Sequence, residues 1–517
     1  MTAEHLGTGN SLRNTVLFGA FAVLMLVANL LAALGGAYQE TAVCVMFAAN
    51  AALNVAVLAD VFANIRRDFP LLVFTASFDL LLLGRVYVSF FGDYEHILYR
   101  LEARDFGTLF DALQIVTLAF FFVYAAYKLS APLFVRREAA LREKRSGAVR
   151  RNALLPVIRQ ICVAVLLVSS LAFFYTLFRS ILYVFRHGYL GSYIQQAEDD
   201  VPSAISRLST LFAPAFAAFL ATMPSRRQMK LPLAVYGVYM LASLFTGKRN
   251  TFVCEVLMLV IYFVLRDGLR ARENRLFRKR TVLWAVFGAV ALMYVLELVA
   301  EIRAGHGVRA RGVFDSLVSF VYSQGASFRV IIQTVNNWDL FDHSQAYRFL
   351  FYPFEQFAHN NIFIRTMFGL NPIVEVQNTE FVQTTSNFAH VLTYMVDPGR
   401  YLSGGGFGTS FVAEAFVAYG MAGVAAVSAL VGVAFRFFSS LLTRHWVVIA
   451  LGLIALKDFI YLPRNFAFLW VTNTFNFTYL CFFAGVYLLA LLFVRLGAHV
   501  RRAPGGFAAR PAAEEKT

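Results

Sequence analysis

Basic side chains stand at several points of the chain where they are suited to bind a phosphate or pyrophosphate group. The turn Thr246–Gly247–Lys248–Arg249–Asn250 separates two apolar segments and places Lys248 and Arg249 at their junction. The planar guanidinium of arginine binds phosphate through two parallel hydrogen bonds, and lysine adds a point charge. This turn therefore predicts an anion site, with contact to lipid phosphates or an ion pair with Glu255 as the alternatives. Further arginines at or beyond the end of an apolar segment are Arg303, Arg329, Arg400 and Arg464.

Two titratable residues are candidates for proton transfer. His390 has an unperturbed pKa of about 6.5, which suits a general base at neutral pH. Glu414 lies about one turn inside a later apolar segment, where a carboxylate requires a partner or a function. The alternatives are a hydrogen-bonded structural role for His390 and an ion pair with a buried arginine for Glu414. Between them, the run Ser403–Gly404–Gly405–Gly406–Phe407–Gly408 would let the backbone approach a phosphate closely.

Motifs for metal or nucleotide chemistry are missing from the sequence. It contains no phosphate-binding Walker loop, no HExxH and no paired-cysteine spacing. The four cysteines all fall in apolar segments, where they act as small hydrophobic residues. We therefore expect a reaction without metal and without a cofactor. The cysteines are Cys44, Cys162, Cys254 and Cys481.

The composition indicates the elements that position these residues. Of the 517 residues 59% are hydrophobic and 15% are charged, and the mean hydropathy is +0.62, which excludes a soluble protein. Apolar segments of about 17–25 residues recur, as helices that cross a bilayer require. The sequence thus predicts an all-α polytopic membrane protein with about twelve transmembrane helices. They lie near 14–34, 41–63, 70–91, 108–127, 156–184, 207–223, 231–246, 251–265, 282–300, 409–433, 446–462 and 471–495.

The distribution of basic residues predicts the orientation of the chain. The net charge of +15 comes from clusters in short loops, which favours topogenic signals over nucleic-acid binding. Cytoplasmic loops near 128–155 and 266–281 carry most of them. Counting spans from these loops places both termini on the cytoplasmic side of a bacterial inner membrane. The lipids of this membrane are expected partners. The predicted anion site then faces outward.

The same count divides the chain into four parts. Residues 1–300 would form a membrane bundle of nine spans, and 409–496 a bundle of the last three. Residues 301–408 would form a large periplasmic loop, whose aromatic and interrupted apolar stretches favour helices lying at the interface. Residues 497–517 would be a cytoplasmic tail.

Three sequence segments resemble the Wzy-type O-antigen polymerases, which are related to the O-antigen ligases. They are Thr246–Arg249, Ser323–Phe328, and Tyr401–Glu414 continuing into Tyr419–Gly423. The resemblance implies a GT-C-like bundle and a membrane glycosyltransferase. Such an enzyme polymerises undecaprenyl-pyrophosphate-linked oligosaccharide repeat units into O-antigen, capsule or exopolysaccharide. It also implies a chain-length regulator and a flippase as pathway partners. Further substrate-binding residues would be Gln324, Ser327, Gly406 and Gly408.

Two other functions share parts of this pattern. A flippase or transporter would use charges within the spans, namely Arg85, Arg179, Lys457 and Asp458. Transporters commonly consist of two halves related by a repeat, and the sequence shows no such repeat. A ligase would perform nearly the same chemistry and differ only in its acceptor.

Overall fold

The described part of the chain folds into helices. The computed structural model describes residues 3–134, 154–194, 201–246, 249–269 and 312–502, together with 288, 291, 293 and 294. No strand occurs among these residues. The helices of the first half are α1 Ala3–Leu34, α2 Tyr38–Ala63, α3 Ile65–Phe78, α4 Gly84–Gly92, α5 Ile97–Leu101, α6 Phe106–Leu129, α7 Leu154–Ile194, α8 Ser203–Ser209, α9 Phe212–Ala221, α10 Arg226–Ser243 and α11 Arg249–Gly268.

A second set of helices follows residue 312. Short helices occupy the segment that the sequence predicted as an external loop, and long helices return after it. They are α12 Val313–Gln324, α13 Ser327–Asn336, α14 Tyr347–Asn360, α15 Ile362–Phe368, α16 Thr379–Thr384, α17 Phe388–Val396, α18 Pro398–Leu402, α19 Phe411–Ser439, α20 Trp446–Tyr461, α21 Leu469–Thr474 and α22 Phe477–Arg502.

Ten helical segments among the described residues are long and apolar enough to cross a bilayer, which confirms a polytopic membrane protein. The predicted eighth span coincides with α11, but this helix carries Arg249, Glu255, Arg266 and Asp267 and is not one of the ten. The predicted ninth span, 282–300, lies almost entirely outside the described residues. A total of about twelve therefore stays a prediction. The ten are Asn14–Leu34, Tyr38–Ala63, Ile65–Gly92, Phe106–Phe134, Leu154–His187, Ser203–Ala221, Arg226–Thr246, Phe411–Ser439, Trp446–Arg464 and Leu469–Leu496.

Helix α19 packs closely against α6 and joins the last part of the chain to the first. A side chain at Gly432 would place its Cβ only 2.1 Å from the carbonyl oxygen of Val123, so only glycine allows this approach. Small residues at such crossings are typical of membrane helices, where packing replaces the hydrophobic drive between helices. Helix α19 is also broken near its start, because Tyr419 and Gly420 have non-helical backbone angles. Residues 411–418 of α19 therefore run as a separate short helix.

One end of the bundle holds a buried ionic network. Asp68, fully buried, accepts hydrogen bonds from Arg67 at 2.7 Å and from the Tyr127 hydroxyl at 2.6 Å. Arg436 from the end of α19 lies 3.8 Å from the same carboxylate. Lys128 pairs with Asp60 beside it. Tyr127 and Lys128 stand where the basic loop near 128–155 begins, which the sequence assigned to the cytoplasm.

The opposite end of the bundle is covered by helices from 312–410. Helix α6 of 24 residues separates the two ends by about 36 Å at 1.5 Å per residue. The Tyr322 hydroxyl donates to the carbonyl oxygen of Arg100 at 3.2 Å, and Arg104 donates to the carbonyl oxygen of Asn336 at 2.7 Å. The predicted external segment thus packs onto the bundle at the end away from the basic loops.

Candidate functional site

Four arginines from distant parts of the chain meet at this covered end. We call Arg85, Arg329, Arg400 and Arg464 the arginine cluster. Arg85 stands in α4, Arg329 in α13 and Arg400 in α18, while Arg464 ends the single turn Leu462–Arg464 after α20. The charges of Arg329 and Arg464 both act on Arg85, and that of Arg329 also acts on Arg400. The sequence predicted three of these residues as anion ligands, and the fold brings them together with the fourth.

Aromatic rings hold the guanidinium groups in place. The guanidinium carbons of Arg329 and Arg400 both lie over the ring of Phe407, 4.7 and 5.1 Å from its centroid. Those of Arg85 and Arg100 lie over the ring of Tyr322, at 4.6 and 5.0 Å. A cation over the face of an aromatic ring is stabilised by about 0.5–2 kcal/mol. The rings therefore let like charges approach one another without a carboxylate between every pair.

The positive charge of the cluster is only partly balanced. Glu102 forms an ion pair with Arg329, and Asp397 accepts a hydrogen bond from the backbone of Arg400 at 2.9 Å. Partial burial, with the charge of Arg329 next in size, lowers the pKa of Arg400, so its charged form is destabilised in the unliganded protein. A bound anion would remove this penalty. The site is therefore suited to a group with more than one negative charge.

The turn between α12 and α13 fixes Arg85 by direct contact. A Cβ at Gly325 would lie 2.1 Å from the backbone nitrogen of Arg85, so the turn rests on α4 with no space for a side chain. Ser327 beside it is fully buried, and Gln324 is half-buried. These two predicted substrate ligands thus lie at the turn that contacts Arg85 and leads into the helix of Arg329.

The glycine run forms a loop against Arg400. A Cβ at Gly405 would lie 2.8 Å from Cγ of Arg400, and the Gln377 side chain donates to the Gly405 carbonyl oxygen at 3.1 Å. Gly406 is exposed at the tip, and Gly408 has a φ of +79° that favours glycine. The loop thus places exposed backbone next to a cationic side chain, which is the geometry that an anion requires.

His390 lies in α17, directly behind this loop. Its Nδ1 is 2.9 Å from the Tyr401 hydroxyl, one residue after Arg400. Thr393, one turn later in α17, accepts a hydrogen bond from the backbone N–H of Phe407 at 3.1 Å. Burial lowers the pKa of His390, with the Glu375 charge opposing the shift, so the imidazole is neutral at pH 7. A neutral imidazole is the form that can accept a proton.

Glu414 is fully buried, and both of its carboxylate oxygens accept hydrogen bonds. Thr409 donates to one oxygen at 2.5 Å, and the backbone N–H of Ala467 donates to the other at 2.9 Å. Ala467 follows Arg464 by three residues. Glu414 thus joins the start of α19 to the turn that presents Arg464.

The remaining predicted ligands belong to two parts of the chain. Lys248 and Arg303 lie outside the described residues, and Arg249 is half-buried at the start of α11. Glu255, the alternative partner of the turn before α11, accepts from Lys457 at 2.8 Å and from the Tyr236 hydroxyl at 2.7 Å. Helices α11 and α20 are therefore joined by an ion pair within the bundle. Arg249 begins α11, and Arg464 ends the turn after α20.

Sequence reasoning missed three residues at the site, namely Arg85, Glu102 and Tyr322. The sequence suggested a role for Arg85 only in a transport path. However, Arg85 lies seven residues before the end of its span at Gly92. That position is itself a signal, because a charge in the last two turns of a span is at the membrane surface. Among the described residues no three His, Cys, Asp or Glu side chains are grouped as metal ligands.

The fold and the site define a polytopic helical membrane protein with a cationic site at one end of its bundle. The family model of the O-antigen polysaccharide polymerase Wzy matches residues 16–496, nearly the whole chain. The chain belongs to this family, as the resemblance predicted. No curated protein and no solved structure matches the chain significantly.

Proposed function

We propose that this polymerase joins undecaprenyl-pyrophosphate-linked oligosaccharide repeat units on the outer face of the bacterial inner membrane. The observation that carries the proposal is the arginine cluster, whose four positive charges outnumber the nearby carboxylates Glu102 and Asp397. A pyrophosphate ester supplies the charge that such a site lacks. The family supports repeat-unit polymerisation in general, and the cluster supports this donor.

The chemistry requires stabilisation of the leaving group. An acceptor hydroxyl oxygen attacks the anomeric carbon of the donor, and the bond from that carbon to the pyrophosphate oxygen breaks. The bonding electrons leave with the lipid pyrophosphate, whose added negative charge the arginines stabilise. Preorganised charges of this kind contribute about 3–4 kcal/mol each to catalysis in other enzymes. The chain thereby performs glycosyl transfer as a membrane glycosyltransferase without a metal ion.

His390 would accept the proton of the acceptor hydroxyl. With its proton on Nδ1, the imidazole donates to the Tyr401 hydroxyl and leaves Nε2 as the basic nitrogen. Burial raises the pKa of Tyr401 to about 12, so this phenol stays protonated and does not compete as a base. The loop 403–408 lies between His390 and Arg400 and would place backbone N–H groups against the pyrophosphate.

Glu414 would act as a positioning residue for Arg464. Both of its oxygens are engaged within the protein, and it has no exposed surface from which to exchange a proton with substrate. Its hydrogen bond to Ala467 supports the turn that presents Arg464. Arg249 would extend the pyrophosphate site from α11, with Lys248 and Arg303 as further ligands.

The orientation follows from the two ends of the bundle. The buried network of Asp68 and Arg436 adjoins the basic loops, and the positive-inside rule assigns this end to the cytoplasm. The arginine cluster lies at the other end. Both termini would then be cytoplasmic, and the chain-length regulator and flippase of the same pathway would act beside this outer face.

The contacts of the charged residues give less support to a transporter. Of its candidate charges, Lys457 pairs with Glu255 and Asp458 accepts from Asn473 at 3.0 Å. Arg85 contacts the ring of Tyr322 and the arginine cluster at one end of the bundle. These three charges therefore have partners within the protein, as structural residues do.

The test is complementation of a strain from which the gene has been deleted. We expect this strain to carry lipopolysaccharide with a single repeat unit and no ladder, and the wild-type gene to restore the ladder. The Arg329→Ala and Arg400→Ala genes should fail at equal protein level, whereas Arg365→Ala on the same outer segment should succeed. Loss of the single unit as well as the ladder would indicate flipping, and the same loss with polymer accumulating on the lipid carrier would indicate ligation. Polymerisation by the purified protein should continue in excess chelator.

A further inference from the structure

A cavity borders the arginine cluster on the side of the N-terminal half of the chain. Its volume is about 700 Å³, within the range of about 300–1,000 Å³ that is typical of ligand pockets. No residue of the sequence motifs lines it. Its lining consists of Asp93, His96, Tyr99, Arg100, Glu102 and Tyr322.

The chemistry of this lining suits a sugar. Asp93 accepts hydrogen bonds from His96 at 2.8 Å and from Arg100 at 3.2 Å, so donors and acceptors alternate along one wall. The ring of Tyr99 is 87% exposed although it is a large aromatic side chain. Sugars combine hydroxyl groups, which both donate and accept, with apolar C–H faces that cover aromatic rings. A lipid chain would instead require an apolar lining.

Two residues belong to both the cavity and the surroundings of the arginine cluster. Glu102 pairs with Arg329, and Tyr322 stacks against Arg85. A ligand in the cavity therefore lies next to an anion on the cluster. In a lipid-linked repeat unit the first sugar is bonded directly to the pyrophosphate, so the two neighbouring sites match the two parts of one molecule.

The wall that contains Glu102 is fixed to the helix that carries Arg329. Glu102 has a left-handed φ of 60°, which a residue with a side chain adopts only when its surroundings require it. Its carbonyl oxygen accepts from the Asn336 side chain at 3.0 Å, and Arg104 donates to the Asn336 carbonyl oxygen at 2.7 Å. Helix α13 thus holds the cavity and the cluster at a constant separation.

We propose that this cavity binds the sugar residues of the repeat unit whose pyrophosphate lies on the arginine cluster. The proposal rests on the proposed function of the cluster and adds the site that recognises the glycan. Residues 93–102, which precede all three segments that resemble the family, then determine which oligosaccharide the polymerase accepts.

The test measures binding of two probes to the purified full-length protein in nanodiscs. One probe is the oligosaccharide released by mild acid from lipid-linked repeat units of the source strain, and the other is inorganic pyrophosphate. We expect Tyr99→Ala and Asp93→Asn to weaken binding of the oligosaccharide at least fivefold and to leave binding of pyrophosphate unchanged. Tyr347→Ala, which removes a 45% exposed tyrosine of the same outer segment, is the matched control and should bind both probes normally.

The two proposals fail in different ways. Unchanged oligosaccharide binding in both cavity variants, or none by the wild-type protein, would overturn the sugar site even if Arg400→Ala loses pyrophosphate. Unchanged pyrophosphate binding in Arg400→Ala would instead overturn the function of the cluster. A ladder of normal length and intensity in a Tyr99→Ala, Asp93→Asn double mutant would also contradict the sugar site.

Discussion

Arg329 and Arg400 contact the same aromatic ring, with their guanidinium carbons 4.7 and 5.1 Å from the centroid of Phe407. Seventy-one positions separate them in the sequence, and they reach this ring from different helices. The ring keeps the two charges close in the absence of substrate, so an anion that enters meets a preformed site.

Substitution of Arg400 should reduce polymerisation without unfolding the protein. Arg400→Ala removes one charge from the transition state, and we expect a loss of about 3 kcal/mol, or about a hundredfold in rate. Arg400→Lys keeps the charge without the planar fork and should be impaired less. The measurement is the O-antigen ladder at equal protein level, with Arg348→Ala as the control. A normal ladder with Arg400→Ala would move the donor site elsewhere.

Glu414 should tolerate glutamine but not alanine. In Glu414→Gln the amide can still accept from Ala467 and donate to Thr409, so the turn before Arg464 is retained. Glu414→Ala leaves two buried partners without a hydrogen bond, at a cost of about 1–3 kcal/mol each. We expect the glutamine variant to keep a ladder and the alanine variant to lose it together with thermal stability in detergent. Complete loss of activity in a stable Glu414→Gln protein would show that this carboxyl group transfers a proton.

The pH dependence of the polymerisation rate should reflect the protonation of His390. Because burial lowers its pKa from the usual value of about 6.5, the neutral base predominates at pH 7 and is lost as the pH falls through the lowered value. We therefore expect kcat/KM to be highest at neutral pH and above, and to decline on the acid side. His390→Gln, which can keep a hydrogen bond to Tyr401, should abolish this acid limb and most of the rate. An unchanged pH profile in that variant would assign the base to another residue.

Labelling should place the two ends of the bundle on opposite sides of the membrane. In a chain without its four cysteines, a membrane-impermeant thiol reagent should label Ser344→Cys, an exposed residue between α13 and α14, in intact spheroplasts. Arg275→Cys, in a predicted cytoplasmic loop, should react only after the membrane is opened. Labelling of Arg275→Cys in intact spheroplasts would reverse the orientation and contradict the outer-face proposal.

Hydropathy predicts ten of the spans, because a helix that crosses a bilayer must carry a long apolar run, whereas the predicted eighth span carries four charges and is not one of the ten. It also groups Arg329, Arg400 and Arg464, since each follows an apolar segment on the same predicted side. The partners of Glu414 could not be predicted, because one of them is the backbone N–H of Ala467, 53 positions away, and any residue type but proline offers that group. Glu102 was missed for a similar reason. Its contacts with α13 depend on how two distant segments pack, and the sequence around it contains no motif.

The meeting of Arg85 with Arg464 also constrains the biosynthesis of the protein. The ribosome adds about 5–20 residues per second, so Arg464 emerges tens of seconds after Arg85 has entered the membrane. During this interval the early spans are inserted without the helices that complete the site. A nascent or truncated chain therefore cannot cleave lipid-linked precursors before the last helices are in place, and activity begins only when translation is nearly complete.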